Sequence, residues 1–197
     1  MVQMAAAMSR LGTESAFEVL ARANALAAQG KDIINLGIGQ PDFKTPPHIV
    51  EAAIKALKDG HHGYTPANGI PELREAVVRD IARHRKVTVD PADVIIVPGG
   101  KVTMFFAVLA LGEPGAEIIY PNPGFPIYES VIKFTGATPV PMTLHEDKGF
   151  AFSAEEVLAL ITPKTRLIIL NSPANPTGGA VPREEMDKLA AGLAEHP

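Results

Sequence analysis

The 197-residue chain contains no cysteine, so neither a disulfide nor a thiolate metal site is open to it. It has no basic excess either: 18 lysines and arginines stand against 22 aspartates and glutamates, a formal net charge of -4. That balance argues against nucleic acid or an anionic membrane surface as the main partner. The Ala-rich stretch from Met1 to Gly30 lacks the continuous apolar run of a signal peptide or membrane span, because Arg10, Glu14, Glu18 and Arg22 interrupt it. Internal repeats and low-complexity linkers are absent. A soluble, cytoplasmic protein is the expectation. What the chain does have is 46% hydrophobic content, enough for one sizeable core of helices and sheet.

Read along the chain, Ser15 to Gln29 predicts a helix with Phe17, Leu20, Ala23 and Ala27 on one face and Gly30 as its stop. Ile33 to Leu36 suits a short strand, and Gly37 to Phe43 a loop. Thr45-Pro46 suits the cap and first position of a helix that buries Ile49 or Val50, Ala53, Ile54 and Leu57. Pro71 opens another, with Leu73, Ala76, Val77 and Ile81 on one face. A regular alternation follows. The apolar run Val94–Val97 leads through Pro98-Gly99-Gly100 into a helix to Leu111, then come a strand at 117–120, a helix at 127–134 and a strand at 138–142. Ser153 caps a helix to Ile161, 166–170 is a strand, and Pro182 to Leu193 is a helix buried through Met186, Leu189 and Leu193. Nearly all-apolar strands alternating with helices predict an α/β fold, its sheet mostly parallel and covered by helices on both faces.

Three features carry chemistry. At Gly99-Gly100-Lys101 a strand-to-helix junction lets backbone approach a ligand, and the N–H groups that open a helix favour an anion. The same residues also suit a tight turn that merely needs glycine. Gly37-Ile38-Gly39 falls short of a dinucleotide fingerprint, since Pro41 and Phe43 occupy the place of a further glycine and a helix. In Asn171-Ser172-Pro173-Ala174-Asn175-Pro176-Thr177-Gly178-Gly179, an Asn fixed by a following proline at a strand's carboxyl end can present its amide to a ligand. Alone, an ordinary Asn-Pro turn explains that segment better. Tyr64 and Phe125 sit in Pro- and Gly-bearing loops, where an aromatic serves packing more often than it serves as a cofactor shelf.

Taken in order, Asn35 to Phe43, Tyr64-Thr65-Pro66 with Gly69, Pro71-Glu72-Leu73-Arg74, Pro98-Gly99-Gly100-Lys101, Pro121-Asn122-Pro123-Gly124-Phe125 and Asn175-Pro176-Thr177-Gly178 resemble the class I/II aminotransferases of pyridoxal-phosphate (PLP) fold type I. The resemblance runs from about Ile34 to the end, roughly the first half of such an enzyme. It implies that 1–44 belongs to the small domain or arm and 45–197 to the first part of the large PLP-binding domain. It implies roles as well. Gly100 and Lys101 would hold the PLP phosphate through backbone N–H groups, Phe125 would stack on the pyridine ring, and Asn175 would hydrogen-bond its phenolic oxygen. Gly39 would lie against the substrate's α-carboxylate, and Tyr64 would reach the phosphate of the neighbouring subunit in a homodimer with shared sites. Lys101 also matches relatives in which this lysine meets a distal substrate carboxylate. The implied substrates are an amino acid and a 2-oxo acid.

The chemistry also needs an amine to attach the cofactor and an acid to keep its ring nitrogen protonated. The family supplies these, and the Arg that clamps the substrate carboxylate, after the Asn-Pro-Thr-Gly segment. None has a counterpart here: no lysine directly follows a serine, and Asp187 sits in a helix. No catalytic lysine is therefore named, and the chain alone is expected to be inactive and to expose apolar surface. Two other readings stay open. One is a different fold-type-I reaction, a β-lyase or an aminocyclopropane-carboxylate synthase-like ring closure. The other is a non-catalytic PLP- or phosphate-binding module.

Overall fold

The computed structural model describes residues 2–12, 15–37 and 39–196, Ser15 by its backbone only. Glu14, Ile38 of the 35–43 motif, and the two terminal residues lie outside the described residues. The chain divides into two compact units, one of Met1–Arg22 with Thr103–Pro197 and the other of Ala23–Val102.

The first unit is built on a parallel sheet of β1 (Glu117–Asn122), β2 (Thr138–Thr143) and β3 (Thr165–Ile168), in the order β2-β1-β3. Parallel neighbours need a crossover, and each is a helix: α5 (Ile127–Thr135) joins β1 to β2, and α6 (Ala154–Ala159) joins β2 to β3. Residues 118 to 121 of central β1 are all buried, which is what a strand covered on both faces requires. Its alternating side chains feed two cores. Ile118 and Tyr120 pack with Val131, Ile132 and Val108, the last from α4 (Gly100–Leu111). Ile119 turns the other way, toward Met142, Phe152, Val157 and Leu189, the last from α7 (Arg183–Leu193). Ile118 and Ile119 are both 0% exposed, each contributing about 1.5–3 kcal/mol by burial. Of the three residues expected to bury α7, Leu189 does so fully and Leu193 in part, whereas Met186 remains 39% exposed at the margin of the contact.

Two helix ends are held by distant residues. Ser153 occupies the cap position of α6 but makes no side-chain cap; the Ala154 N–H instead donates to the Glu185 carboxylate at 2.7 Å. A full negative charge from α7 thus replaces the expected hydroxyl at the positive end of α6. At the other polarity, the Arg10 guanidinium donates to the carbonyls of Lys133 and Phe134, at 2.9 and 2.8 Å, where α5 ends. The Gly12 N–H adds a bond to Ser130 Oγ at 2.8 Å, which fastens the N-terminal segment along the same helix.

In the second unit, α2 (Pro47–Lys58) starts one residue later than Thr45-Pro46 suggests: Pro46 is the cap residue and Pro47 the first helical one. Its apolar stripe is not buried. Ile49, Val50, Ile54 and Leu57 are 39% to 60% exposed, because a stripe selects a helix face but burial needs an opposing surface, and none among the described residues covers it. α3 (Pro71–Arg85) does begin at Pro71, and its Arg74 donates to the carbonyls of Val94, at 3.0 Å, and Pro91. Neither Ile33–Leu36 nor Val94–Val97 is a strand among the described residues. Besides the Arg74 bond to Val94, the second run is held by a backbone bond from the Ile96 N–H to the Asn68 carbonyl at 3.1 Å. A strand exists only with a ladder partner, and these segments have none here.

Helix α1 (Ser15–Ala28) carries the chain from one unit to the other and ends at Gly30, whose φ of 82° and bond to the Ala27 carbonyl match the expected stop. Leu20, Ala23 and Leu26 are half-buried, while Phe17 is 55% exposed, one position off the covered face. No described helix is long and apolar enough to cross a membrane.

Candidate functional site

Open parallel sheets place their ligands beyond the carboxyl ends of the strands. In the first unit two loops leave that end from adjacent strands. The loop after β1 passes Pro123 and Gly124 to Phe125, whose carbonyl accepts from the Tyr128 N–H at 3.0 Å as α5 begins. Gly124 is required by close approach: a Cβ there would lie 2.1 Å from the Pro121 carbonyl oxygen. The loop after β3, from Asn171 to Gly179, is tied to itself. The Gly178 N–H donates to the Ala174 carbonyl at 2.7 Å and the Ala174 N–H to the Gly179 carbonyl at 2.8 Å. Gly179 is buried against the Gly149 carbonyl, with no room for a Cβ.

Within this unit each of the predicted residues Phe125 and Asn175 has a neighbour that the sequence did not single out for a site, Tyr128 beside the first and Asn171 beside the second. Phe125 meets the Tyr128 ring edge-on, centroids 5.9 Å apart and planes at 79°. The Asn171 amide, oriented so that both its ends are satisfied, donates to the Pro173 carbonyl at 3.1 Å and accepts from the Asn175 N–H at 3.0 Å. Burial pushes the Tyr128 phenol above its ordinary 10.0, so the group stays neutral near pH 7. Tyr128 was legible only as an aromatic in the first turn of the helix that follows the Phe125 loop. Asn171 was legible only as part of the Asn-Pro loop. Asn175 is exposed and Phe125 is half-buried.

The other predicted residues lie in the second unit. Gly99, with φ of 93°, makes the turn into α4. A tight turn explains that glycine but not Gly100, which has an ordinary φ and no atom within 4 Å of where its Cβ would lie. The backbone at the N-terminus of α4 is thus open to an approaching group, and its dipole favours an anion. Lys101 is exposed in the first turn of the helix. Gly39 sits in an exposed loop with open space around it, and Tyr64 projects fully from the surface at 110% exposure. Taken by itself, the helix end of the second unit has the chemistry that suits a phosphate, and the half-buried aromatic and exposed amide of the first unit have the chemistry that suits a planar, oxygen-bearing ring such as that of PLP.

The sequence model for aminotransferase class I and II matches residues 31–197, and the chain belongs to that family. It is 38% identical over 187 residues to a probable aspartate/prephenate aminotransferase of Aquifex aeolicus, covering 95% of this chain and 48% of that protein. To the aspartate/prephenate aminotransferase of Thermus thermophilus it is 39% identical over 178 residues, 90% of this chain and 46% of the relative. Among solved structures, that of aspartate aminotransferase from Thermus thermophilus with maleate superposes with a TM-score of 0.93 at 36% identity, over 100% of this chain and 51% of that one. An alanine aminotransferase from Pyrococcus furiosus gives 0.91 at 30% identity, over 98% and 50%. The chain therefore spans about half the length of the relatives it matches.

Proposed function

We propose that the protein transfers an amino group between an amino acid and a 2-oxo acid with PLP, and that this chain supplies much of the cofactor's seat. The observation that carries the reading is that Phe125 and Asn175 stand on the loops leaving the carboxyl ends of the adjacent strands β1 and β3, in a chain of this family. Backbone N–H groups of Gly100 and Lys101 hold the phosphate, Phe125 stacks on the ring, and the Asn175 amide binds the phenolic oxygen. Gly39 backs the substrate α-carboxylate. Tyr64 reaches a neighbouring subunit's phosphate in a homodimer, a role its full exposure supports. When bound, PLP supplies an electron sink that lets the amino group leave one substrate and join the next. The residues of this chain bind, orient and tune it, while the proton-shuttling lysine is none of those named here.

The names of the relatives make aspartate the first donor to try, and Lys101 would meet its distal carboxylate. The assignment of 1–44 to an arm and 45–197 to the large domain, and a cytoplasmic location, belong to the same proposal. The test uses protein purified from its native source. It should retain PLP through desalting and form a new amino acid from aspartate and a 2-oxo acid. Pyruvate or ammonia released from a β-substituted amino acid without an acceptor would replace transfer by elimination. Retained PLP with neither reaction would leave a binding module.

A further inference from the structure

Residues 91–97 lead into the Gly99-Gly100 turn, and among the described residues no strand pairs with them. Val94 is nevertheless only 8% exposed, and the run is tied down along its length. The Arg74 guanidinium, half-buried on α3, donates through Nε to the Val94 carbonyl at 3.0 Å and through Nη2 to the Pro91 carbonyl. The Ile96 N–H donates to the Asn68 carbonyl at 3.1 Å. Gly69, with φ of 96°, lies so close to this run that a Cβ on it would be 2.5 Å from Ile96 Cγ1. The bonding continues forward: the Gly99 N–H donates to the Val97 carbonyl at 2.9 Å, and the Val102 N–H to the Gly99 carbonyl at 3.3 Å as α4 begins. We propose that Arg74 is a positioning residue for the phosphate seat. With the Asn68-Gly69 turn it takes the place of a ladder partner, and so fixes the segment from which the open end of α4 projects. The proposal rests on the PLP reading for what the anion is, but not for the clamp itself.

A planar guanidinium can hold two carbonyls at once in a fixed fork, which the ammonium of a lysine cannot. Because both carbonyls belong to one short segment, that segment cannot twist without breaking a charge-assisted bond. The Ile96 bond fixes it again two residues further on. Nothing among the described residues lies within 4 Å of the Cβ positions of Gly99 or Gly100, so the segment behind them sets where their N–H groups point. Donors set before the anion arrives bind it more tightly than donors that must be ordered on binding. Arg79 supplies a control on the same helix, since its side chain is 67% exposed and pairs with Glu75 at 3.6 Å in solvent.

The experiment compares wild type, R74A, R74K and R79A in the whole protein, first without cofactor, then with PLP and with pyridoxal, which lacks the phosphate. In the cofactor-free protein, hydrogen exchange of the Ile96 and Gly99 N–H groups should accelerate in R74A, while the α3 amides of Val78 and Ile81 keep their wild-type rates. The PLP dissociation constant should rise roughly tenfold in R74A, the scale of one hydrogen bond from a charged group. R74K keeps the charge and loses the fork, so it should fall between R74A and wild type, and R79A should match wild type. Pyridoxal should bind all four proteins alike. Unchanged Gly99 exchange in R74A, R74K indistinguishable from wild type, or pyridoxal weakened as much as PLP would each overturn the positioning role. If R74A does not fold, R74K decides by the same exchange rates and affinities. Wild type that binds no PLP would sink the functional reading, and the exchange rates would still judge the clamp.

Discussion

Replacing Gly124 by Ala is the sharpest perturbation of the loop that carries Phe125. A Cβ at this position would lie 2.1 Å from the Pro121 carbonyl oxygen and 3.1 Å from its carbonyl carbon, both backbone atoms. Relief requires a displacement of about 1 Å or more. Pro121 cannot provide it: it is buried in β1 opposite Met142, itself 2% exposed, and the next residue's carbonyl accepts from the Leu144 N–H at 2.8 Å. The movement must fall on Gly124 and Phe125, at a cost of about 1–3 kcal/mol for forced overpacking. For a chain of this size that lowers Tm by roughly 2 to 12 °C. Urea unfolding should give a lower midpoint with an unchanged slope. Gly63→Ala is the control, since Gly63 has an ordinary φ and nothing within 4 Å of its Cβ position. A Gly124→Ala midpoint within about 0.5 kcal/mol of the control would refute the claim that this loop is held rigidly against β1.

Three further outcomes follow from the packing and the charges. Leu189→Ala, at a residue 1% exposed between α6, α7 and the sheet, should cost about 2–5 kcal/mol in denaturant unfolding, whereas Met186→Ala should cost less than about 1. The Glu185 carboxylate is held below its ordinary 4.5 chiefly by the Ala154 N–H and then by Lys188, so its contribution is present above that value and is lost as pH falls through the lower folded one. Glu185→Gln should flatten the acid limb of a stability-versus-pH curve, and an unaltered limb would deny the cap its role. Burial raises the phenols of Tyr120, beside Glu129, and Tyr128 above 10.0. Their share of stability is complete below pH 10 and falls as pH rises through the folded values, so an ultraviolet titration should show both ionising later in the native than in the unfolded protein.

What the sequence determined by itself was what short segments decide alone. The strand expected at 117–120 formed, covered on both faces, Pro71 opened its helix, and Gly30 stops α1 because a left-handed residue costs glycine little. The motifs that hold Gly100, Phe125 and Asn175 carried the family resemblance only when taken together and in order, since each alone also suited a turn or packing. Tertiary structure alone decided everything that needs a partner far along the chain. Val94–Val97 has a strand's composition but no ladder, and α2 has an apolar stripe with nothing over it. The cap of α6 passed from Ser153 beside it to Glu185 on another helix, and the α5 end went to Arg10 from the N-terminal segment. Steric and periodic preferences act within a turn or a strand, whereas hydrogen bonds and burial between remote segments depend on where the folded chain returns.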